Sequence, residues 1–306
     1  MTARSEAASA PPGVESTYKA RDVESSLDIY FYRPIGYALA LFFAQLRFTP
    51  SMVSLLGAII GVTAGHLYFY SDLRLNLLGI ALHIFTNALD NADGQLARLT
   101  SKGSLLGAIV DGIADYAVFL SVYVHLGLRY MAEGGSAAIW LLVLAAGLSH
   151  AMQSMTIDYF RNAYLQFVAG KRSADANSSA AVRAAYDAVS WSTPFKKLAL
   201  RNYLNYARQQ ETLAPNLLRL RLATNAGAIP EWLTHAFREQ CRPLVKWCNC
   251  MATNPRMLLL FAFLLLGQPV WYLVVEATIL NVLLVFVLVR YDRIFRSFLA
   301  RLQETT

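Results

Sequence analysis

The chain has 306 residues, of which 56% are hydrophobic and only 15% are charged, and its formal net charge is +7. Soluble domains average roughly 45–50% apolar and about 25% charged residues, so this composition excludes an ordinary soluble protein. The apolar residues also cluster into long blocks, which indicates an integral protein of the cell membrane.

The N-terminal part of the chain is predicted to lie outside the membrane core. Residues 1–16, MTARSEAASAPPGVES, are small and polar, which is typical of disorder, and they lack the apolar core of a signal peptide. In the next region, residues 17–49, the segment 24–46 is largely apolar but carries Arg33 and Pro34 near its middle. This pattern favours an amphipathic helix along the membrane interface over a further span.

The predicted fold class is all-α, a polytopic membrane protein with six spans, because six segments approach the roughly 20 apolar residues that a span needs. Four spans lie within residues 50–168, and two lie within residues 254–306. The fifth is short for a span. The predicted spans are residues 50–70, a segment from 73 into the motif described below, 104–128, 136–168, 254–267 and 270–289.

The segment between the fourth and fifth spans, residues 169–253, is polar and basic. Stretches such as PFKKLALRNYLNYARQQ repeat apolar residues every three or four positions, which predicts a small cytoplasmic helical insertion. Its basic residues could bind nucleic acid. A solvated face near anionic lipid headgroups explains the same charge, so the expected surroundings are membrane lipids and no nucleic acid.

The basic residues occupy alternate loops between the predicted spans. They precede the first span, follow the second, fill the insertion and follow the sixth, whereas the opposite loops hold only Arg74 and Arg129. Because lysine and arginine collect on the cytoplasmic side, both termini and the turn after the second span are predicted to be cytoplasmic.

The stretch DNADGQLARLTSKGSLLGAIVDGIAD, residues 90–115, places four aspartates between apolar segments. A carboxylate at membrane depth costs several kcal/mol, so such residues usually mark a functional site. Asp90 and Asp93 share one helix face, and Asp111 and Asp115 share another. An antiparallel hairpin would bring all four carboxylates to the same depth.

Four neighbouring carboxylates repel one another and cannot all remain ionised unaided. Clustered oxygen ligands suit hard divalent cations, so two Mg²⁺ or Mn²⁺ ions are predicted, an arrangement that can hold a diphosphate for phosphoryl transfer. Gly94, Ala97 and Gly107 are small enough to let a substrate approach the backbone. The planar guanidinium of Arg98 can donate to phosphate oxygens.

Two other interpretations of the aspartates are less well supported by the sequence. Helix caps or structural ion pairs would need basic partners, and Arg98 is the one candidate nearby. A cation-coupled transporter would also use buried carboxylates, but only Glu276, on the last span, could continue an acidic path. Glu276 and Asn281 are instead expected to tie the last span to its neighbours or to a dimer partner.

The motif resembles the complete signature of the CDP-alcohol phosphotransferase (phosphatidyltransferase) family. All eight positions are filled at the expected spacing: Asp90-x2-Asp93-Gly94-x2-Ala97-Arg98-x8-Gly107-x3-Asp111-x3-Asp115. The resemblance implies that a substituted phosphate moves from a CDP-alcohol to an acceptor hydroxyl with release of CMP, in phospholipid biosynthesis. It also implies two Mg²⁺ or Mn²⁺ ions and a homodimer. The implied metal ligands are Asp90, Asp93, Asp111 and Asp115, the implied general base is Asp115, and the implied CDP contacts are Gly94, Ala97, Arg98 and Gly107.

The family resemblance leaves two kinds of substrate pair. One is CDP-diacylglycerol with a polar acceptor, which we prefer, and the other is CDP-choline or CDP-ethanolamine with diacylglycerol. A phosphorylated acceptor would need a basic pocket, for which Arg161 is the best candidate, with Arg290 at a similar depth. Asp158 and Arg161 could form part of the acceptor pocket or a simple interfacial ion pair.

Overall fold

The computed structural model describes residues 23–101, 103–170, 178–224 and 229–304. Every regular element within these ranges is helical, which confirms the predicted all-α class. The predicted disordered segment, residues 1–16, lies outside the described residues. A π-helical turn at Asp28–Tyr32 is followed by α1 (Arg33–Gln45), α2 (Pro50–Leu67), α3 (Leu73–Leu99), α4 (Leu105–Ala132), α5 (Ile139–Ala169), α6 (Ser179–Ala188), α7 (Pro194–Leu213), α8 (Pro215–Ala223), α9 (Glu231–Cys250), α10 (Thr253–Leu265), α11 (Val270–Ala277) and α12 (Ile279–Glu304).

Five helical stretches are long and apolar enough to cross a membrane, which agrees with a membrane protein and roughly with the six predicted spans. Helix α3 is not among them, although its 27 residues extend about 40 Å. Its composition explains this, because buried Asn76, His83 and Asn87 and the motif aspartates lower its hydropathy. The five stretches are Pro50–Leu67, Leu106–Ala132, Ile139–Ala169, Glu231–Leu265 and Val270–Glu304.

The last two spans differ most from their predicted boundaries. Helix α10 has only 13 residues, about 20 Å, so the apolar stretch that contains it begins in α9, inside the predicted insertion. The predicted sixth span, residues 270–289, is interrupted at Thr278, whose backbone angles (φ −122°, ψ −75°) are not helical. Helix α12 then continues to Glu304, well beyond the predicted end.

Helix α2 packs closely against both α3 and α4 through a row of glycines, Gly57, Gly61 and Gly65. A Cβ atom on Gly61 would lie 2.5 Å from Val118 Cγ2 of α4 and 2.9 Å from Thr86 Cγ2 of α3. Atoms cannot approach that closely, so a residue larger than glycine would push the helices apart. Small residues at every fourth position permit this kind of close helix approach in membranes.

The segment before α2 packs across α3. Residues 24–46, predicted as one amphipathic helix, form the π-helical turn and α1. Gly36 lies so near α3 that an added Cβ would be 3.0 Å from Asn91 Cβ. Gln95 Nε2 donates a hydrogen bond to the carbonyl oxygen of Arg33 at 3.1 Å. Helix α1 is therefore held against the motif-bearing end of α3, while its location in the membrane interface stays a prediction.

The predicted insertion, residues 169–253, forms helices α6 to α9 in the parts that the structure describes. Helix α7 packs against α4 and α5, α8 packs against α12, and α9 packs against α5 and α12. Helices α6 and α7 pack on each other, and the Lys197 Nζ donates to the carbonyl oxygens of Tyr186 and Val189, both at 2.7 Å. The insertion is therefore docked on the apolar helices. Its cytoplasmic location stays a prediction.

A buried polar cluster joins the later helices. Arg256 of α10 forms an ion pair with Glu276 of α11 at 3.3 Å and donates to Ser154 Oγ of α5 at 2.9 Å. It also donates to Gln153 Oε1, and Gln153 Nε2 donates to Asn281 Oδ1 of α12 at 3.0 Å. The expectation that Glu276 and Asn281 tie the last span to its neighbours is confirmed.

Candidate active site

Three of the four motif carboxylates meet between α3 and α4. One oxygen from each of Asp90, Asp93 and Asp111 lies within 4.8 Å of the other two. Asp93 is buried, and Ser54 of α2 donates a hydrogen bond to its Oδ2 at 2.5 Å. The Asp93 carboxylate is therefore oriented by a helix that carries no motif residue.

The two motif helices are consecutive and joined by a short turn, but they are not a tightly packed pair. Among the described residues, the backbones of α3 and α4 are seldom close to each other, and their side chains approach across the space between them. Both pack instead against α2. The glycine row of α2 therefore sets the spacing between the two helices, and the three carboxylates approach one another across the gap that remains.

The donor set formed by Asp90, Asp93 and Asp111 fits a divalent cation. Two oxygens on opposite sides of Mg²⁺, each at about 2.1 Å, lie about 4.2 Å apart, and around Ca²⁺ the separation is about 4.8 Å. The three carboxylate oxygens are within the larger of these two spacings. Carboxylates are hard oxygen ligands of the kind that Mg²⁺ and Mn²⁺ prefer. These residues could hold one cation, and a second would need further oxygens from Asp115 or from a substrate.

The residues predicted to contact CDP lie on both motif helices. The guanidinium of Arg98 lies over Gly94, where an added Cβ would be 3.6 Å from Arg98 Nη1, an ordinary contact. Ala97 is half-buried beside it. Gly107 is in the first turn of α4, where its N–H donates to Ser104 Oγ at 3.0 Å. Protein contacts alone do not demand glycine at position 94, so its predicted role depends on a substrate.

Asp115 lies one turn beyond Asp111 on α4, outside the three-carboxylate cluster. Its side chain is exposed, and it is close enough to Asp90, Asp111 and Asp158 for their charges to interact. Asp158 comes from α5, so α5 contributes a carboxylate to the region around Asp115. This is the arrangement expected if Asp158 belongs to an acceptor pocket. The role of Asp115 as a base or a metal ligand stays a prediction.

Arg161, the residue predicted to bind a phosphorylated acceptor, is directed toward the insertion. Its Nη2 donates to Asn249 Oδ1 of α9 at 2.5 Å. Arg290, on α12, is exposed. The structure therefore brings Asp158 into the region of the motif, whereas Arg161 has a partner on α9.

Two side chains of the site were missed by the sequence analysis. Ser54 contacts Asp93 across 39 residues of chain, and Tyr206 of α7 donates to Asp158 Oδ2 at 3.0 Å. Ser54 lies one turn before the glycine row of α2. That row is visible in the sequence and could have pointed to a closely packed helix beside the motif. We find no comparable pattern around Tyr206.

Residues 47–186 match the family model for CDP-alcohol phosphatidyltransferase, a range that includes the whole motif at 90–115. The chain is also similar to a "Putative cardiolipin synthase" of Mycobacterium bovis and to proteins of the same description from two strains of Mycobacterium tuberculosis. Each is 30% identical over 79 residues, which are 26% of this chain and 37% of the relative. The aligned part thus spans little more than a third of the length of these relatives. Residues 47–186 therefore contain a CDP-alcohol phosphatidyltransferase domain, and the members of that family are transferases of substituted phosphate groups.

Proposed function

We propose that this protein is a membrane transferase that moves a phosphatidyl group from CDP-diacylglycerol to the hydroxyl of a polar acceptor and releases CMP. The observation that carries the proposal is the convergence of Asp90, Asp93 and Asp111 within a region that matches the family model. A diphosphate is the ligand that such a carboxylate cluster could hold through divalent cations.

The reaction exchanges one phosphorus–oxygen bond for another. The acceptor hydroxyl oxygen bonds to the phosphorus next to the diacylglycerol, the bond to the bridging diphosphate oxygen breaks, and CMP leaves. In our proposal Asp115 takes the proton from the hydroxyl, because it lies beside the cluster and remains accessible. Bound Mg²⁺ or Mn²⁺ would stabilise the negative charge on the diphosphate and leaving oxygens.

The remaining motif residues would bind the nucleotide. Arg98 would donate to phosphate oxygens, since the residue is exposed and its guanidinium lies above Gly94. Gly94, Ala97 and Gly107 would leave room for the cytidine and its phosphates. We also propose the two-ion stoichiometry and a homodimer, both on the family resemblance.

The names of the family and of the similar proteins support CDP-diacylglycerol as the donor. The family model is described as a phosphatidyltransferase, and the three relatives are described as cardiolipin synthases. Cardiolipin is itself a phospholipid, and CDP-diacylglycerol is the CDP-linked form of a phosphatidyl group. CDP-choline or CDP-ethanolamine with diacylglycerol remains the alternative substrate pair.

The proposal is tested with purified protein in detergent, given each CDP compound with a panel of alcohol acceptors. We expect CMP release from CDP-diacylglycerol, and we expect EDTA to abolish it and Mg²⁺ or Mn²⁺ to restore it. Release from CDP-choline only would overturn the donor, and release unaffected by EDTA would overturn the metal site. Cation flux in liposomes without CMP release would favour a transporter.

A pair of isosteric variants tests the role of Asp115. Asp115→Asn should lower CMP release by about 10²–10⁴-fold, because that is the usual contribution of a general base. It should still bind CDP in the presence of Mg²⁺. Asp111→Asn should lose metal-dependent CDP binding as well, since Asp111 belongs to the carboxylate cluster. Equal loss of CDP binding in both variants would remove the special role of Asp115.

A further inference from the structure

The insertion reaches the motif region through helix α7. Gln210 Nε2, buried, donates to the carbonyl oxygen of Met155 in α5 at 3.1 Å. One turn earlier on α7, Tyr206 donates to Asp158 Oδ2 at 3.0 Å, and Asp158 is three residues after Met155. The two contacts run in opposite directions along the two helices, so α7 lies antiparallel against this part of α5. The Gln210 and Tyr206 hydrogen bonds together hold Tyr206 in place against α5.

Tyr206 and Asp158 lie beside the proposed base. The charge of Asp158 acts on both Asp115 and its neighbour Tyr116, and Tyr116 also interacts with Tyr206. Asp115, Tyr116 and Asp158 all have exposed side chains on the surface of the helices. Helices α4, α5 and α7 thus contribute a continuous group of polar side chains next to the carboxylate cluster.

The Tyr206 hydroxyl is a dependable donor. Desolvation by the surrounding helices, together with the Asp158 carboxylate, raises the pKa of Tyr206 well above its ordinary value of 10.0. The Tyr206 hydroxyl therefore keeps its proton at neutral pH and can donate to Asp158. A carboxylate has about four lone-pair sites, so Asp158 can accept a further hydrogen bond while Tyr206 holds it in place.

We propose that α7 of the insertion forms one wall of the acceptor pocket, in which Tyr206 is a positioning residue that holds Asp158 toward the acceptor. The proposal rests on the proposed function. The acceptor substrate would donate a hydrogen bond to Asp158 from a second group, a hydroxyl or an ammonium. The reacting hydroxyl of the same substrate would face Asp115. The predicted substrate class is therefore a polyol or an amino alcohol, and the insertion would determine acceptor choice.

The test removes the hydroxyl group of Tyr206 and measures the KM for the acceptor and the KM for CDP-diacylglycerol separately. Tyr206→Phe should raise the KM for the acceptor by about tenfold, because a hydrogen bond to a charged group is worth at least about that factor. The KM for CDP-diacylglycerol should change less than about twofold, and the protein should remain folded in detergent. Tyr203→Phe is the matched control, since its ring stacks on that of Tyr206 at 6.2 Å on the same helix. It should leave both KM values unchanged.

A second variant shows whether the pair acts as one unit. Asp158→Asn should also raise the acceptor KM, and the double variant with Tyr206→Phe should be no worse than Asp158→Asn alone, because contacting residues that act through each other are not additive. Independent, multiplying effects would overturn the positioning role, as would equal changes in both KM values or an unchanged acceptor KM in Tyr206→Phe. Wild-type protein that released no CMP would overturn the proposed function itself, which distinguishes the two failures.

Discussion

The hydrogen bond from Ser54 to Asp93 connects α2 directly to the carboxylate cluster. Partners of metal ligands orient the ligand, and their loss typically lowers metal affinity by about 10–100-fold. Ser54→Ala leaves the Asp93 carboxylate without this donor. We therefore expect the Mg²⁺ concentration for half-maximal CMP release to rise by about tenfold, as measured by titrating Mg²⁺ at saturating donor.

The matched control for Ser54→Ala lies on the same helix. Thr63 donates its hydroxyl hydrogen bond to the carbonyl oxygen of Ile59 at 2.8 Å, within α2 itself. Thr63→Ala should therefore leave the Mg²⁺ requirement unchanged. If the two variants gave the same Mg²⁺ titration as the wild type, Ser54 would have no part in the metal site.

Single residues also show how far sequence spacing can predict a site. Asp90, Asp93 and Asp111 could be assigned because their positions on two consecutive helices follow from helical periodicity and a short turn. Ser54 and Tyr206 could not, because their partners lie 39 and 48 residues away and the packing of separate helices decides those contacts. Asp115 was predicted to join the same cluster, and the structure leaves it outside the set within 4.8 Å.

At the scale of helices, the glycine row of α2 positions both halves of the motif. Gly61→Ala would place a Cβ atom 2.5 Å from Val118 Cγ2. Overpacking of this kind costs about 1–3 kcal/mol. We expect a lower melting temperature in detergent and a higher Mg²⁺ concentration for half-maximal CMP release. The additional substitution Val118→Ala should restore part of both values.

The control for Gly61→Ala is a glycine in another apolar helix. A Cβ atom on Gly147 of α5 would lie 4.0 Å from Tyr123 Cδ2, an ordinary contact. Gly147→Ala should therefore be neutral or slightly stabilising, because alanine has the higher helix propensity. A Gly61→Ala protein as stable as Gly147→Ala would show that the three helices can separate at little cost.

Helix existence was easier to predict than helix ends. Helices α2 and α5 match the predicted spans closely, since long apolar runs are strong signals. Helix α10 (Thr253–Leu265) matches the predicted fifth span, 254–267, which was expected to be short, but the apolar stretch that contains it continues from α9. The break at Thr278 has no glycine or proline beside it to mark it in the sequence. The break is two residues after Glu276, whose carbonyl oxygen accepts a hydrogen bond from Gln153 Nε2 at 3.2 Å.

At the scale of the whole molecule, the orientation in the membrane can be tested with native cysteines. Cys250, at the end of α9, is exposed, whereas Cys241 and Cys248 are buried. By the positive-inside rule the basic insertion, residues 169–253, is predicted to be cytoplasmic, so Cys250 should lie on the cytoplasmic side of α10. A membrane-impermeant thiol reagent should therefore label one cysteine per chain in inside-out vesicles and none in right-side-out vesicles.

Two variants make this labelling decisive. Cys250→Ser should abolish it in native protein. Ser71→Cys in that background should be labelled only in right-side-out vesicles. Residue 71 is exposed between α2 and α3, on the side predicted to lie across the membrane from the cytoplasm. Labelling of Cys250 in right-side-out vesicles would reverse the predicted topology.

Because the motif carboxylates of α3 and α4 approach one another in the space between the two helices, the stability of the bundle depends on what binds there. Carboxylates within 4.8 Å of one another repel when they are ionised, and a bound cation removes that repulsion and holds their oxygens together. Cation binding and helix separation are then thermodynamically linked. At a concentration one hundred times its dissociation constant, the ion would add about 2.7 kcal/mol to the free energy of unfolding. A substitution that loosens the bundle far from the aspartates would, by the same linkage, weaken ion affinity.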